Sequence, residues 1–285
     1  MSLASTNGTL YVVATPIGNL DDLSARARQI LGSVQLIAAE DTRHSGKLLQ
    51  LIGCQTPMLS LHEHNEQQRT GELLQRLRSG MDIALISDAG TPLISDPGYS
   101  LVSELTQQGI RVVPIPGACA AIAALSVAGL PTARFVFEGF LPAKSSKRRE
   151  RLRELLSETR TLVFYEAPHR CAETLADMQA VLGEARRIAV CRELTKLYET
   201  CYYGNVAELA QRAEQDTDMS RGEIVLVVEG AAEVAGEQTS VDAERLLSAL
   251  LEELPASQAA KITAKLTGVE RATLYERAVS LKGKQ

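Results

Sequence analysis

No Cys-x-x-Cys pair occurs in this sequence, and its five cysteines (Cys54, Cys119, Cys171, Cys191 and Cys201) are odd in number and scattered. That pattern argues against both a disulfide framework and a thiolate zinc site, and it leaves the cysteines as small buried residues. No apolar run reaches the roughly 18 residues needed to cross a bilayer. Met1 to Thr9 is polar and lacks the basic start and apolar stretch of a signal peptide, so a cytoplasmic protein without a membrane partner is expected. There is no G-x-G-x-x-G after the first apolar run and no G-x-x-x-x-G-K-[ST] anywhere. The usual anion cradles of dinucleotide and nucleoside-triphosphate sites are therefore missing, which favours a cofactor without phosphate. The four histidines (His44, His62, His64 and His169) fall in three loops with no ligand-spaced helical pair, so no metal is expected. Nothing supports a nucleophilic triad either, because no Ser-His-Asp or Cys-His pattern stands at fixed offsets.

Basic charge is scarce overall, with a formal net charge of −5 that by itself disfavours a polyanionic partner. Its distribution qualifies that reading. Lys144–Arg153 reads KSSKRRERLR and sets six basic residues against the single Glu150, so it is either a local positive patch or a solvated helix face.

The composition, 45% hydrophobic and 23% charged over 285 residues, is that of a globular chain too long for one core, so two domains and a small appendage are expected. Apolar runs at Leu10–Ala14, Val34–Ala38, Met58–Leu61, Ile83–Ile86 and Val112–Ile115 read as strands. Helical stretches at Leu23–Leu31, Ser45–Leu51, Glu66–Arg78, Tyr99–Gln107 and Ala118–Ala128 alternate with them, which predicts an α/β fold with a parallel sheet. The last of these helices is built almost wholly of small residues and can pack close to a neighbour or a ligand. GFLPAKSS at Gly139–Ser146 is the best domain boundary. Beyond it, strands at Thr161–Tyr165, Arg187–Cys191 and Ile224–Val228 and helices at Lys147–Leu156 and Cys171–Val181 form a second α/β unit. The expected domains are 8–139, 145–232 and, after a linker that begins past Gly230, a helical tail at 240–282. In that tail, Asp242–Leu254 precedes two short helices broken at Thr267–Gly268. They resemble a helix-turn-helix, although a plain helical hairpin is the preferred reading because the charges nearly cancel.

In open parallel sheets ligands bind the loops after the carboxyl ends of strands. Five such loops stand out: Thr15–Asp21, Glu40–His44, His62–Asn65, Ser87–Gly98 and Pro116–Ala120. Ser87–Gly98 (SDAGTPLISDPG) is rich in Gly and Pro, so it is a rigid wall with bare amides, and its Asp residues can accept hydrogen bonds from hydroxyls or an ammonium group. Ser87–Thr91 is expected to face the ligand. Asp96 is expected to cap the next helix, with Pro97 at its first position.

Taken together, TPIGNLDD, AAEDTRH, HEHN, LISDAGTPLISDPG, PIPG, GFLP, FYEAPHR, RELTK and GEIVLVVEG closely resemble the ribosomal RNA small subunit methyltransferase I family, of tetrapyrrole methylase fold. The resemblance runs in order from about Leu10 to Gly230. It implies two α/β domains that bind S-adenosylmethionine in the cleft between them, a homodimer, and methyl transfer to the ribose 2′-hydroxyl of a cytidine in 16S rRNA near the decoding centre of the small ribosomal subunit. Carried over to this chain, the cofactor contacts are Pro16, Asp88, Gly90, Thr91, Gly117, Ala118, Cys119, Ala120, Tyr165, Glu166, Ala167 and Leu226. The candidate bases are Asp41, His64 and Glu166. Arg43 and His44, extended by Lys144, Lys147, Arg148 and Arg149, are the candidate RNA-phosphate contacts. In the first loop Pro16-Ile17-Gly18-Asn19 replaces the glycine-rich text of tetrapyrrole-modifying relatives, which favours the RNA branch. Two alternatives stay open: methylation of a tetrapyrrole or other small molecule by the same fold, and a noncatalytic RNA-binding assembly protein.

Overall fold

The structure is a computed structural model that describes residues 7–62, 64–232 and 237–282, without the side chains of 237–242 and 282. Residues 1–6 of the N-terminal reading, Glu63 of the HEHN loop and residues 233–236 of the expected linker lie outside the described residues. The chain divides into two compact units, Met1–Ala231 and Ala232–Gln285.

The first half of the larger unit alternates strand and helix. The elements are β1 (Thr9–Val13), α1 (Ala25–Ser33), β2 (Leu36–Ala39), α2 (Thr42–Leu51), β3 (Met58–Ser60), α3 (Glu66–Arg78), β4 (Ile83–Ile86), α4 (Tyr99–Gln107), β5 (Arg111–Ile115) and α5 (Ala120–Val127). Their strands form a wholly parallel sheet in the order β3-β2-β4-β1-β5, with Tyr11 opposite both Ala84 and Val113. Both faces are covered, which is why β2 and β4 read as unbroken apolar runs. Leu73, Leu77, Leu101 and Leu105 of α3 and α4 pack on one face against Leu10, Leu36 and Leu85. On the other face Ala27, Leu31 and Leu49 of α1 and α2 pack against Val13, Ile37 and Ile86.

The second half comprises β6 (Phe135–Phe140), α6 (Ser145–Glu154), β7 (Thr161–Glu166), α7 (Cys171–Leu182), β8 (Arg187–Arg192), β9 (Thr200–Asn205), α8 (Val206–Gln215) and β10 (Ile224–Val228). The sheet order is β6-β7-β10-β8-β9, and only β6 and β7 run parallel. β6, β9 and α8 add to the elements expected from sequence. A capping box starts α8: Asn205 accepts from the Glu208 amide at 2.9 Å and donates its own amide to Glu208 Oε2 at 2.9 Å. One face of this sheet packs on α6, α7 and α8 through Leu152, Phe164, Leu175, Met178 and Leu209. The other face carries Val163, Ala189, Cys191, Val225 and Val227, and Ala121, Ala124 and Leu125 of α5 cover it. The small residues of α5 thus let one helix lie close against the second sheet and join the two halves.

β6 contains a bulge. Phe137 pairs with Val163 and Gly139 with Phe164, so Glu138 and Gly139 together oppose one residue, and Phe140 then pairs with Tyr165. Gly139 has φ +65°, a conformation that glycine accepts at little cost.

In the smaller unit, α9 (Glu237–Glu253), α10 (Ala256–Thr267) and α11 (Arg271–Lys282) enclose Ala243, Leu247, Ala259, Ala260, Leu274 and Ala278. The break between α10 and α11 falls where Thr267–Gly268 places it.

Candidate cofactor and substrate cleft

The loops after β1, β4 and β5 meet because those strands are neighbours. Thr15 N donates to Gly90 O at 2.9 Å and Gly90 N to Thr15 O at 3.1 Å, while Thr91 Oγ1 donates to Ala118 O at 2.9 Å. Gly90 sits at φ +81°, and a Cβ there would lie 3.2 Å from Ile17 Cγ2. These ties build one wall of a cavity of about 440 Å³. Ile17, Glu40, Asp88–Thr91 and Ile94–Asp96 line it from the first half. Phe140, Tyr165–Pro168, Cys191, Leu194 and Glu223–Val225 line it from the second, with Ala120 of α5 between them.

Three carboxyl groups gather on the first wall. Asp88 N donates to Glu40 Oε2 at 3.4 Å, and Asp41 N donates to Asp88 Oδ1 at 3.2 Å. Burial pushes Asp96 up to about 6; Glu40 and Asp88 add to that rise and a hydrogen bond from Ser87 opposes it. Burial also raises Glu40, against the Asp88 amide and with the help of the Asp88 and Asp41 carboxylates. Five acids and no cation line this partly buried space; Glu166 and Glu223, on the second wall, are engaged by Arg170 and Lys196, and Glu40, Asp88 and Asp96 are left to attract a positively charged ligand. On the opposite side the Tyr165 hydroxyl accepts from Ala121 N at 3.3 Å, and its ring stands edge-on to Phe137 at 4.9 Å and to Phe140 at 5.7 Å. Burial raises the Tyr165 phenol far above its ordinary range, so it stays neutral.

Of the expected cofactor contacts, Asp88, Gly90, Thr91, Ala120, Tyr165, Glu166 and Ala167 line the cavity. Pro16 is half-buried beside the lining Ile17, Gly117 packs against Ala14, Ala118 contributes its carbonyl to Thr91, and Cys119 packs in the same apolar cluster as Tyr165. Leu226 requires correction. It is fully buried on the face of its sheet that α6, α7 and α8 cover, and its neighbour Val225 faces the cleft, because strand residues alternate sides. The expected capping role of Asp96 also changes. Gly98 is the N-cap of α4 and Asp96 lines the cavity instead.

The candidate bases separate. Asp41 caps α2, accepting Arg43 N at 2.8 Å, and the Arg43 guanidinium grips its carboxylate and holds it well below the usual range, so it is a weak proton acceptor. Glu166 lines the cavity, yet both its oxygens are engaged: Ala167 N donates at 2.7 Å, Thr174 Oγ1 at 2.6 Å, and Arg170 completes the clamp. His64 is exposed and does not line the cavity; its ring lies 6.1 Å from that of His62.

The basic candidates divide as well. Arg43, His44, Lys144 and Lys147 are exposed, and Arg149 is exposed while bonded to Asp177. Arg148 is 0% exposed and is therefore withdrawn from the RNA contacts. Its Nε donates to Asp177 Oδ2 at 2.7 Å, Nη1 to Ala143 O at 3.3 Å and Nη2 to Glu173 Oε2 at 3.4 Å.

Glu40, Ile94, Ser95, Asp96, Phe140, Cys191, Leu194 and Val225 join the cleft without having been singled out for it. Glu40 had a legible signal, since it opens EDTRH at the carboxyl end of β2. No group of three or more His, Cys, Asp or Glu among the described residues is disposed to hold a metal ion, and no described helix is long and apolar enough to cross a membrane.

Comparison with known proteins places this geometry. Residues 9–210 match the model of the Tetrapyrrole (Corrin/Porphyrin) Methylases, and residues 237–282 match that of the RsmI C-terminal HTH domain. A Pseudomonas aeruginosa protein named ribosomal RNA small subunit methyltransferase I is 54% identical over 97% of this chain and 99% of its own. The Escherichia coli O157:H7 protein of that name is 51% identical over 99% of this chain and 98% of its own. Among solved structures, a uroporphyrin-III C-methyl transferase from Thermus thermophilus, complexed with S-adenyl homocysteine, superposes with a TM-score of 0.55 at 16% identity. It covers 78% of this chain and 97% of its own, a likeness of fold.

Proposed function

Because the chain belongs to the ribosomal RNA small subunit methyltransferase I family, within the tetrapyrrole methylases, we propose that it methylates small-subunit rRNA from S-adenosylmethionine. The acceptor in this reading is the ribose 2′-hydroxyl of a cytidine in 16S rRNA near the decoding centre. The observation that carries it is the carboxylate wall of Glu40, Asp88 and Asp96 in a cavity of about 440 Å³, a size usual for small-molecule sites.

The cleft suits that cofactor, which is cationic at its sulfonium and its ammonium group and has no phosphate. Asp88 and Glu40 offer negative charge to it, and the backbone at Gly90–Thr91 offers close approach. Ile94, Leu194 and Val225 supply apolar walls that exclude water. When bound, S-adenosylmethionine supplies an electrophilic methyl group for in-line displacement, so most of the catalysis is alignment of donor and acceptor. A ribose hydroxyl is a poor nucleophile and gains from a proton acceptor. Asp96 is the best placed, since it lines the cavity, has no cation clamped to it, and its pKa of about 6 leaves it ionised yet basic at neutral pH. Asp41 and Glu166, each held by an arginine, act as loop braces instead.

The test is incubation with labelled S-adenosylmethionine and small subunits from cells lacking this protein, followed by mapping of ribose methylation. Label in one cytidine 2′-hydroxyl is expected. Label only in an added tetrapyrrole precursor rejects the RNA reading, and failure to bind the cofactor at millimolar concentration rejects an enzyme of this kind.

A further inference from the structure

We infer that Phe140 is a stacking platform for the target nucleobase at the mouth of the cleft, an inference that rests on the RNA methyltransferase reading above. Phe140 lines the cavity, yet its residue is 56% exposed, an unusual state for a phenylalanine. The backbone is built to put it there. In a regular strand, side chains alternate faces, so Phe137 and Phe140 would point to opposite sides of β6. The bulge at Glu138–Gly139 absorbs one residue and brings Phe140 out on the same side as Phe137, opposite Tyr165. Arg151 pins the bulge by donating to Glu138 Oε2 from Nε at 3.0 Å and from Nη2 at 2.7 Å. Tyr165 braces the ring edge-on from within, which leaves the outer part of Phe140 to solvent.

The charge of the cleft selects what meets that ring. Glu40, Asp88 and Asp96 repel a phosphodiester, so a nucleotide presents its sugar and base to the cavity and leaves its phosphates outside. A ribose hydroxyl deep enough to react belongs to a nucleotide drawn out of its stack, and an aromatic face at the entrance returns part of that cost. The exposed Lys144 and Lys147 follow Phe140 by four and seven residues in the chain and offer positive charge to a polyanion. The adenine of the cofactor is the competing partner. Partial exposure at the rim favours the base that arrives from outside, because a cofactor ring gains more against the buried Val225 and Leu194.

The full-length protein and its Phe140→Ala, Phe140→Leu and Phe140→Tyr variants are compared by calorimetry with S-adenosylmethionine, by Kd for unmethylated small subunits, and by KM for those subunits. Loss of one stacked base predicts that Ala and Leu weaken subunit Kd and KM by about tenfold, while Tyr stays within about twofold. Cofactor Kd is expected to be equal in all four proteins. An unchanged subunit Kd in Phe140→Ala overturns the inference, as does Leu behaving like Phe, which reduces the ring to packing. Parallel weakening of cofactor Kd overturns it too, and assigns the ring to adenine. All three results leave the methyltransferase reading intact. Wild-type protein that labels no subunit RNA defeats that reading, and the inference falls with it.

Discussion

Replacing Arg148 by Ala is expected to unfold the protein more readily and to leave its electrostatic attraction to RNA unchanged, the reverse of what its place in KSSKRRERLR suggests. Both Arg148 and Asp177 are buried, and the pair is joined at 2.7 Å. Burial by itself pushes Asp177 up, but hydrogen bonds from Arg149, Arg148 and Ser145 outweigh it and hold the carboxyl below its ordinary range. Removing one member of a buried pair costs about 3–5 kcal/mol where the other is left uncompensated; Asp177 keeps its bonds from Arg149 and Ser145, so the loss should lie at the lower end, about 3 kcal/mol. At roughly 2–4 °C per kcal/mol for a unit of this size, Tm should fall by roughly 6–12 °C. The double variant Arg148→Met with Asp177→Leu should recover most of that loss, since an apolar pair of similar volume is often neutral or better. Lys144→Ala and Lys147→Ala, on exposed side chains, should change stability by less than about 0.5 kcal/mol. If they touch phosphate, each flattens the salt dependence of RNA binding by about 0.7–0.9. Thermal unfolding and salt titrations read both quantities. A stable Arg148→Ala protein with a flatter salt slope would refute the reasoning and return the residue to the RNA interface.

The remaining predictions concern the cleft. Asp88→Ala should weaken S-adenosylmethionine by about tenfold in calorimetry, the worth of one charge-assisted contact, with an unchanged circular dichroism spectrum. Asp96 is protonated below about pH 6 and cannot then accept a proton, so the wild-type rate should rise as pH increases through about 6, and Asp96→Asn should lose that limb. The sign for stability is opposite. A carboxyl raised in the folded state binds more protons there than when unfolded, so stability falls as pH rises from about 4 to 6, and Asp96→Asn should melt higher than wild type at pH 8. Gly90→Ala forces φ +81° on a residue with a Cβ and crowds Ile17, so it should lose about 1–2 kcal/mol in denaturant unfolding and bind the cofactor less well.

The first sheet was legible because parallel strands covered on both faces appear as short apolar runs between amphipathic helices, as Ile83–Ile86 does. β6 and β9 were hidden for the converse reason. Both lie at sheet edges, are half-exposed, and carry a glycine, in FVFEGF and TCYYGN, so neither run nor alternation marks them. The Ser87–Gly98 loop announced itself through its Gly, Pro and Asp content, but the role of Asp96 did not, since the left-handed Gly98 takes the cap that Asp96 was expected to fill. Choosing Leu226 over Val225 shows how a strand penalises an error of one residue. The burial of Arg148 depends on Asp177, 29 residues away along the chain, and no local pattern reveals such a pairing.

The cleft draws its lining from Ile17, near the start of the larger unit, to Val225, near its end. During synthesis the carboxylate loops are therefore made early and wait, without their opposite wall, until β10 is inserted between β7 and β8. Contacts so distant in sequence close slowly. A ligand that needs both walls stabilises only the finished unit, by an amount set by its concentration relative to Kd. Cofactor binding in such a protein reports on the completion of folding as well as on readiness for chemistry.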